Sequence, residues 1–152
     1  MKTIDLLRQQ APALAQGIET APKSELRKVA AAIAQAAVNR TGILDPVITQ
    51  VLEKLKAYPS PDAKLQARVQ AIADELDEKY FALKEPLEER EDAGKSDPAV
   101  MLAFSKARAA SAVAAALGHD DAEAAGSSGY EAFIATDDED YLTEALRKAL
   151  VR

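Results

Sequence analysis

Proline placement constrains this chain more than any other feature of its sequence. Three dipeptides, Asp45-Pro46, Ser60-Pro61 and Asp97-Pro98, each set a helix-capping side chain immediately before a proline, and Thr20-Ala21-Pro22 is a looser version. Proline lacks an N–H and fixes φ near the helical value, so it suits the first helical position, where an N–H has no partner in any case. The Asp or Ser before it accepts amide hydrogens that the first turn leaves unpaired. Four helix starts are thereby marked.

The intervals between these starts follow a 3.6-residue period. Residues 22–40 carry Leu26, Val29, Ala30, Ile33 and Ala37 on one stripe and meet Gly42 as a left-handed stop. Pro46–Ala57 shows Ile48, Val51, Leu52 and Leu55, and residues 61–83 show Leu65, Val69, Ile72, Ala73, Leu76, Tyr80 and Leu83. Residues 98–117 align Leu102, Ala109, Val113, Ala116 and Leu117 before Gly118, and a last helix after Asp137 bears Tyr141, Leu142, Ala145, Leu146, Ala149 and Leu150. Near the beginning, Pro12 interrupts a stripe of Ile4, Leu7, Ala11, Leu14 and Ile18, which predicts a kink or two short helices before Gly17. Gly126-Ser127-Ser128-Gly129 reads as a break between a short turn at 120–125 and a two-turn helix at 130–135. Pro86 is expected to end or kink the long helix, leaving residues 86–96 as a charged connector.

No segment alternates apolar and polar residues over strand length, so a sheet has no candidate strands. The expected fold is all-α: a single-domain helical bundle of six to seven helices over residues 1–152. With three Phe, four Tyr and no Trp, its core has to be built from Leu, Ile, Val and Ala. The Ala-rich stretches 29–37 and 109–116 carry little side-chain volume, allow close approach of helix axes, and are expected to cross centrally. Two helix ends, Ala115-Ala116-Leu117-Gly118-His119-Asp120-Asp121 and Ile134-Ala135-Thr136-Asp137-Asp138, share a paired-acid turn. This resembles the turns of HEAT-type helical pairs, which implies a partly pairwise stacking of helices; no fixed period extends it to the N-terminal half.

Reactive groups are few. The chain has no Cys, hence no thiolate nucleophile, disulfide or Cys-ligated metal, and its single His leaves no imidazole pair for a zinc hydrolase. Nucleophile-elbow, phosphate-loop, HExxH and EF-hand patterns are missing from the sequence. The reading is therefore of a protein more suited to binding than to catalysis, with no cofactor. His119 with Asp120, Asp121 and Glu123 offers nitrogen and oxygen donors for a metal, but its place after Gly118 at a helix end suits relief of the C-terminal dipole better. The same position argues against a haem ligand. Asp137-Asp138-Glu139-Asp140 lacks the alternate spacing and glycine of a calcium loop, and reads as first-turn acids. Glu85, Glu88, Glu89, Glu91 and Asp92 form a like-charged run, read as a solvated connector or, alternatively, as a contact for a basic partner.

Charge is distributed unevenly. Residues 1–76 hold 10 Lys/Arg and 8 Asp/Glu, whereas residues 77–152 hold 9 and 17. Between Arg108 and Arg147 there is no Lys or Arg, while Asp120, Asp121, Glu123, Glu131, Asp137, Asp138, Glu139, Asp140 and Glu144 fall in that interval. Such a stretch repels phosphate backbones and would steer a basic protein, so these nine acids are the candidate partner-binding residues and nucleic acid is not an expected ligand. Lys23, Arg27 and Lys28 cluster without aromatic neighbours and read as solvated. The expectation is a small acidic protein-binding module of inhibitor, antitoxin or immunity type. Two alternatives are a ligand-binding or enzymatic bundle using carboxylates with Tyr130 or Tyr141, and a subunit of a larger or homo-oligomeric assembly. With no leader-like N-terminus, and Ala-rich runs about half of membrane-spanning length, a cytoplasmic protein is expected and a membrane is not.

Overall fold

In the computed structural model, residues 2–88 and 97–151 are described. Among them are eight α-helices and no strand: α1 Thr3–Gln10, α2 Pro12–Thr20, α3 Leu26–Thr41, α4 Pro46–Ala57, α5 Ala63–Glu88, α6 Pro98–Ala116, α7 Asp121–Thr136 and α8 Glu139–Leu150. A 3₁₀ turn, Lys23–Glu25, leads into α3. The all-α reading holds, with one or two helices more than the sequence suggested.

The proline signals act largely as read. Asp45 accepts from the amides of Val47 and Ile48 with Pro46 at the first helical position, and Asp97 does the same for Ala99 and Val100 ahead of Pro98. The Ser60-Pro61 signal is displaced: the amide of Leu65 donates to Asp62 Oδ1, so Asp62 is the cap and Pro61 precedes it. Pro12 divides the N-terminal stripe into two helices, but the second runs past Gly17 to Thr20. Pro86 neither ends nor bounds α5, which continues to Glu88. Ala82, whose carbonyl loses its usual donor there, is exposed and water can replace the missing bond. The remainder of the proposed connector, residues 89–96, lies outside the described residues, as do Glu89, Glu91 and Asp92 of the acidic run. Leu83 and Leu102, placed on apolar stripes above, are nearly half exposed on α5 and α6.

The larger correction concerns Gly126-Ser127-Ser128-Gly129. This run is the middle of α7, a continuous buried helix that packs against α1, α2, α3, α6 and α8. Small residues permit that crowding. A Cβ added at Gly129 would stand 2.8 Å from Ile18 Cδ1 and 3.0 Å from Leu7 Cδ2, so a larger residue there would require the ends of both side chains to shift beneath the N-terminal helices. Ser128 is fully buried and donates its hydroxyl to the Ala112 carbonyl at 2.9 Å, joining α7 to α6. Helix α3 packs on α6, as the Ala-rich faces of the two predicted, and also on α7, which the sequence reading did not anticipate. The N-terminal helices meet α7 and α8, so the two ends of the chain pack together. A stack of HEAT-type pairs would touch nearest neighbours alone, and here the helices close into a bundle.

By length and composition α6 is apolar enough to cross a bilayer, with a mean hydropathy of 1.3, which exceeds what its Ala-rich part alone suggested. It lies in the bundle, contacted by α3, α4, α5 and α7.

The end of α6 is closed by distant groups. Arg27 of α3, 6% exposed, donates from Nη1 to the Ala116 carbonyl at 3.0 Å and from Nη2 to the His119 carbonyl at 3.2 Å, and pairs with Asp121. The Asp62 amide donates to the Leu117 carbonyl and Gln66 Nε2 to the Ala114 carbonyl. Arg27, read from sequence as solvated, is thus an internal cap.

Outcomes for stability follow at two places, the glycines of α7 and Arg27. Gly126→Ala, whose new Cβ would meet Ile4 at an ordinary 3.5 Å, is expected to match or exceed the parent, because a mid-helix glycine costs up to about 1 kcal/mol. Gly129→Ala is expected to be less stable than Gly126→Ala by about 1–2 kcal/mol through overpacking, measured by urea unfolding. Arg27→Ala, which strands two carbonyls, should cost about 2–4 kcal/mol, and Arg27→Lys should recover less than half, since one ammonium does not reproduce the forked geometry.

Candidate functional site

Helices α5 and α7 both pack on α6 but have almost no contact with one another. That arrangement leaves a groove with α6 as its floor. Phe104, Arg108, Ser111 and Ala115, at spacings of four, three and four, line it from α6. The groove has two lobes of about 360 and 330 Å³ that share Arg108 and Glu131. The first is polar, with Gln66 and Gln70 on one wall and His119, Asp120, Glu123 and Ser127 on the other. The second is lined by Tyr80, Phe81, Tyr130 and Ile134.

Arg108 forms a strap between the lobes. Its Nη2 donates to both Asp77 carboxylate oxygens at 2.8 and 2.9 Å, and its Nη1 donates to Glu131 Oε2 at 3.1 Å. One cation thereby holds an acid from each wall, while its Nε is buried without a partner. Burial, the larger influence, pushes the Glu131 carboxyl above its ordinary value of 4.5, against the opposing pull of Arg108. Counting formal charges, four acids (Asp77, Asp120, Glu123 and Glu131) face one arginine, so the groove carries net negative charge.

The nine acids proposed from sequence do not form one surface. Asp120, Glu123 and Glu131 line the groove, and His119 stands beside them, exposed at the lip. Asp120 also caps α7 by accepting from the Glu123 amide, and Glu123 Oε1 accepts from the Thr3 and Ser127 hydroxyls. Asp121 faces away to Arg27. The other acids lie past the far end of α7, a 16-residue helix spanning about 24 Å. There Asp138 caps α8 and pairs with Arg40 at 3.1 Å, and the Tyr141 amide first and Arg40 second hold its carboxyl below the ordinary 3.8. Glu139 Oε2 accepts from the Ala13 amide at 3.0 Å, serving the otherwise uncapped start of α2. Glu144 pairs with Arg147, and Asp137 and Asp140 are exposed. Among the described residues, no three His or acidic groups converge to hold a metal ion.

Sequence reading missed Asp77, Arg108, Gln66, Gln70 and the aromatic lobe apart from Tyr130, which it named beside the carboxylates. The available signal was the spacing of Phe104, Arg108 and Ser111, at i, i+4 and i+7, which places them on one face of α6.

The raised Glu131 carboxyl sets a pH dependence with a definite sign. Below 4.5 Glu131 is protonated in both folded and unfolded chains; above 4.5 the unfolded chain releases the proton first, so stability falls as pH rises through the window up to the folded value. Glu131→Gln is expected to remove this fall, seen as a flatter profile of unfolding free energy just above pH 4.5 than the parent gives. An unchanged profile would place the titration elsewhere.

No protein-family model matches this chain, and neither a curated protein nor a solved structure is detectably similar to it.

Proposed function

We propose that this protein is a small binding module that receives a basic, partly apolar segment of a protein partner in the α5/α6/α7 groove. The carrying observation is the division of that groove into an acidic lobe and an aromatic lobe on either side of the Arg108 strap. A partner segment with Lys or Arg at one end would meet Asp120, Glu123 and Glu131, and apolar side chains at the other end would cover Phe81, Tyr80 and Phe104. Charge in the first lobe speeds encounter, and desolvation of the aromatic rings supplies most of the affinity. Phe81 is half exposed, so it has apolar surface still to bury. An inhibitor or immunity-type protein works in this manner, by occupying a basic surface of its target. Asp137 and Asp140 lie outside this groove and serve as the internal comparison.

The test is affinity capture from native lysate at low and moderate salt with three proteins: parent, the groove variant Glu123→Gln/Glu131→Gln/Phe81→Ser, and the distal variant Asp137→Asn/Asp140→Asn. A Lys/Arg-rich protein retained by the parent and the distal variant, released by salt and bound about tenfold or more weakly by the groove variant, is the expected result. Equal capture by the groove variant, or loss with the distal variant alone, would refute this reading.

A further inference from the structure

A second cleft, on the side of the molecule formed by α3, α4 and α8, has a different chemistry. It encloses about 690 Å³, within the range of small-molecule sites. Its floor is largely apolar, with Ala32 and Ala36 from α3, Ala145 and Ala149 from α8, and Leu52 and Leu55 from α4; Gln35 and Asn39, also on α3, are hydrogen-bonded to one another. Because alanine ends at Cβ, the helices pack through their backbones elsewhere and leave this space between them.

The cations around the cleft gather at one end. Asp138 pairs with Arg40, and the Tyr141 hydroxyl donates to the Ala36 carbonyl at 2.8 Å, so α8 runs antiparallel to α3. Lys148, seven residues after Tyr141 and about 10 Å further along, therefore reaches the level of Lys28. The short link at residues 42–45 turns α4 back along α3, and Lys54 beside Asp62, whose amide meets Leu117, brings the end of α4 close to Arg27. Lys56 thus joins the same end. Lys28, Lys56 and Lys148 are exposed, and none is in an ion pair among the described residues. The one acid of the cleft, Glu144, is already paired with Arg147.

Dipole relief accounts for Lys56 and Lys148, which lie in the last turns of α4 and α8. It does not account for Lys28, which stands in the first turn of α3, where a cation is unfavourable. An anion bound between the three lysines would offset that cost. We infer that the cleft is a binding site for a single-chain amphiphile with an anionic head, its alkyl chain along the alanine floor and its carboxylate or phosphate at Lys28, Lys56 and Lys148. An acidic helix of a partner is a poorer fit, since it would need cations along the walls and these are confined to one end.

Calorimetric titration below micellar concentration tests this with four probes: dodecanoate, dodecyl phosphate, butyrate and the uncharged dodecyl maltoside. The expected result is one-to-one binding of dodecanoate, dodecyl phosphate or both, with the preferred head identifying carboxylate or phosphate, and at least about tenfold weaker binding of butyrate and dodecyl maltoside. Lys28→Gln/Lys148→Gln is expected to weaken the anionic probes about tenfold and leave dodecyl maltoside unchanged. Ala145→Leu, which fills the floor, is expected to weaken them comparably; thermal melts by circular dichroism confirm that each variant is folded. Butyrate binding as well as dodecanoate would reduce the site to a bare cationic patch and overturn the inference. So would anionic-probe affinity that neither variant alters, or no binding of either long-chain anion.

Discussion

Helix α6 ends inside the protein, and the treatment of its last carbonyls fixes the relation of several other elements. A helix terminus leaves backbone acceptors without intrahelical donors, and a buried acceptor without a partner is costly. Here the donors come from far along the chain: Arg27 serves Ala116, the Asp62 amide serves Leu117, and Gln66 serves Ala114. Each of these bonds ties α3 or the start of α5 to the turn between α6 and α7. The same Arg27 holds Asp121 and the His119 carbonyl, so the turn that carries the acidic lip of the groove is set by one buried guanidinium.

The second determinant is the small size of the α7 side chains. Glycine at 126 and 129, serine at 128 and alanine at 124, 125, 132 and 135 let five helices approach α7. A helix committed to so many neighbours cannot also cover the outer face of α6, and α5 packs on α6 from the other side. The groove is the space left over, and Arg108 spans it because Asp77 and Glu131 face one another across the floor. The cleft between α3 and α8 has a related origin, in alanines that bring backbones close at one level and leave a gap at another.

Much of the candidate site was illegible in the sequence for a physical reason. The nine acids look alike along the chain, yet their local roles differ: Asp120 and Asp138 are caps, Asp121 is held by Arg27, and Glu139 serves the start of a helix more than a hundred residues away. A run without Lys or Arg suggests a surface of one sign. Cations outside that run, Arg27, Arg40 and Arg108, fold back onto it and pair with Asp121, Asp138 and Glu131. Local charge counting is blind to such pairings. In the groove itself a single cation, Arg108, serves Asp77 and Glu131, while among the described residues Asp120 and Glu123 are met only by neutral donors, so the negative charge there is not balanced.

The sequence by itself determined that the chain is helical and where most of its helices begin, because proline geometry, Asp capping and the 3.6-residue apolar period act within a few residues of one another. It also determined a core of Leu, Ile, Val and Ala, since few aromatic side chains are available. Tertiary structure decided that Gly126-Ser127-Ser128-Gly129 is the middle of a buried helix, because glycine's preference for turns is weaker than the packing gained when Leu7 and Ile18 settle against it. It likewise decided which charges are structural and which line a groove, since Coulomb and hydrogen-bond partners are chosen by distance in space, and the distances in this bundle join residues that the sequence keeps far apart.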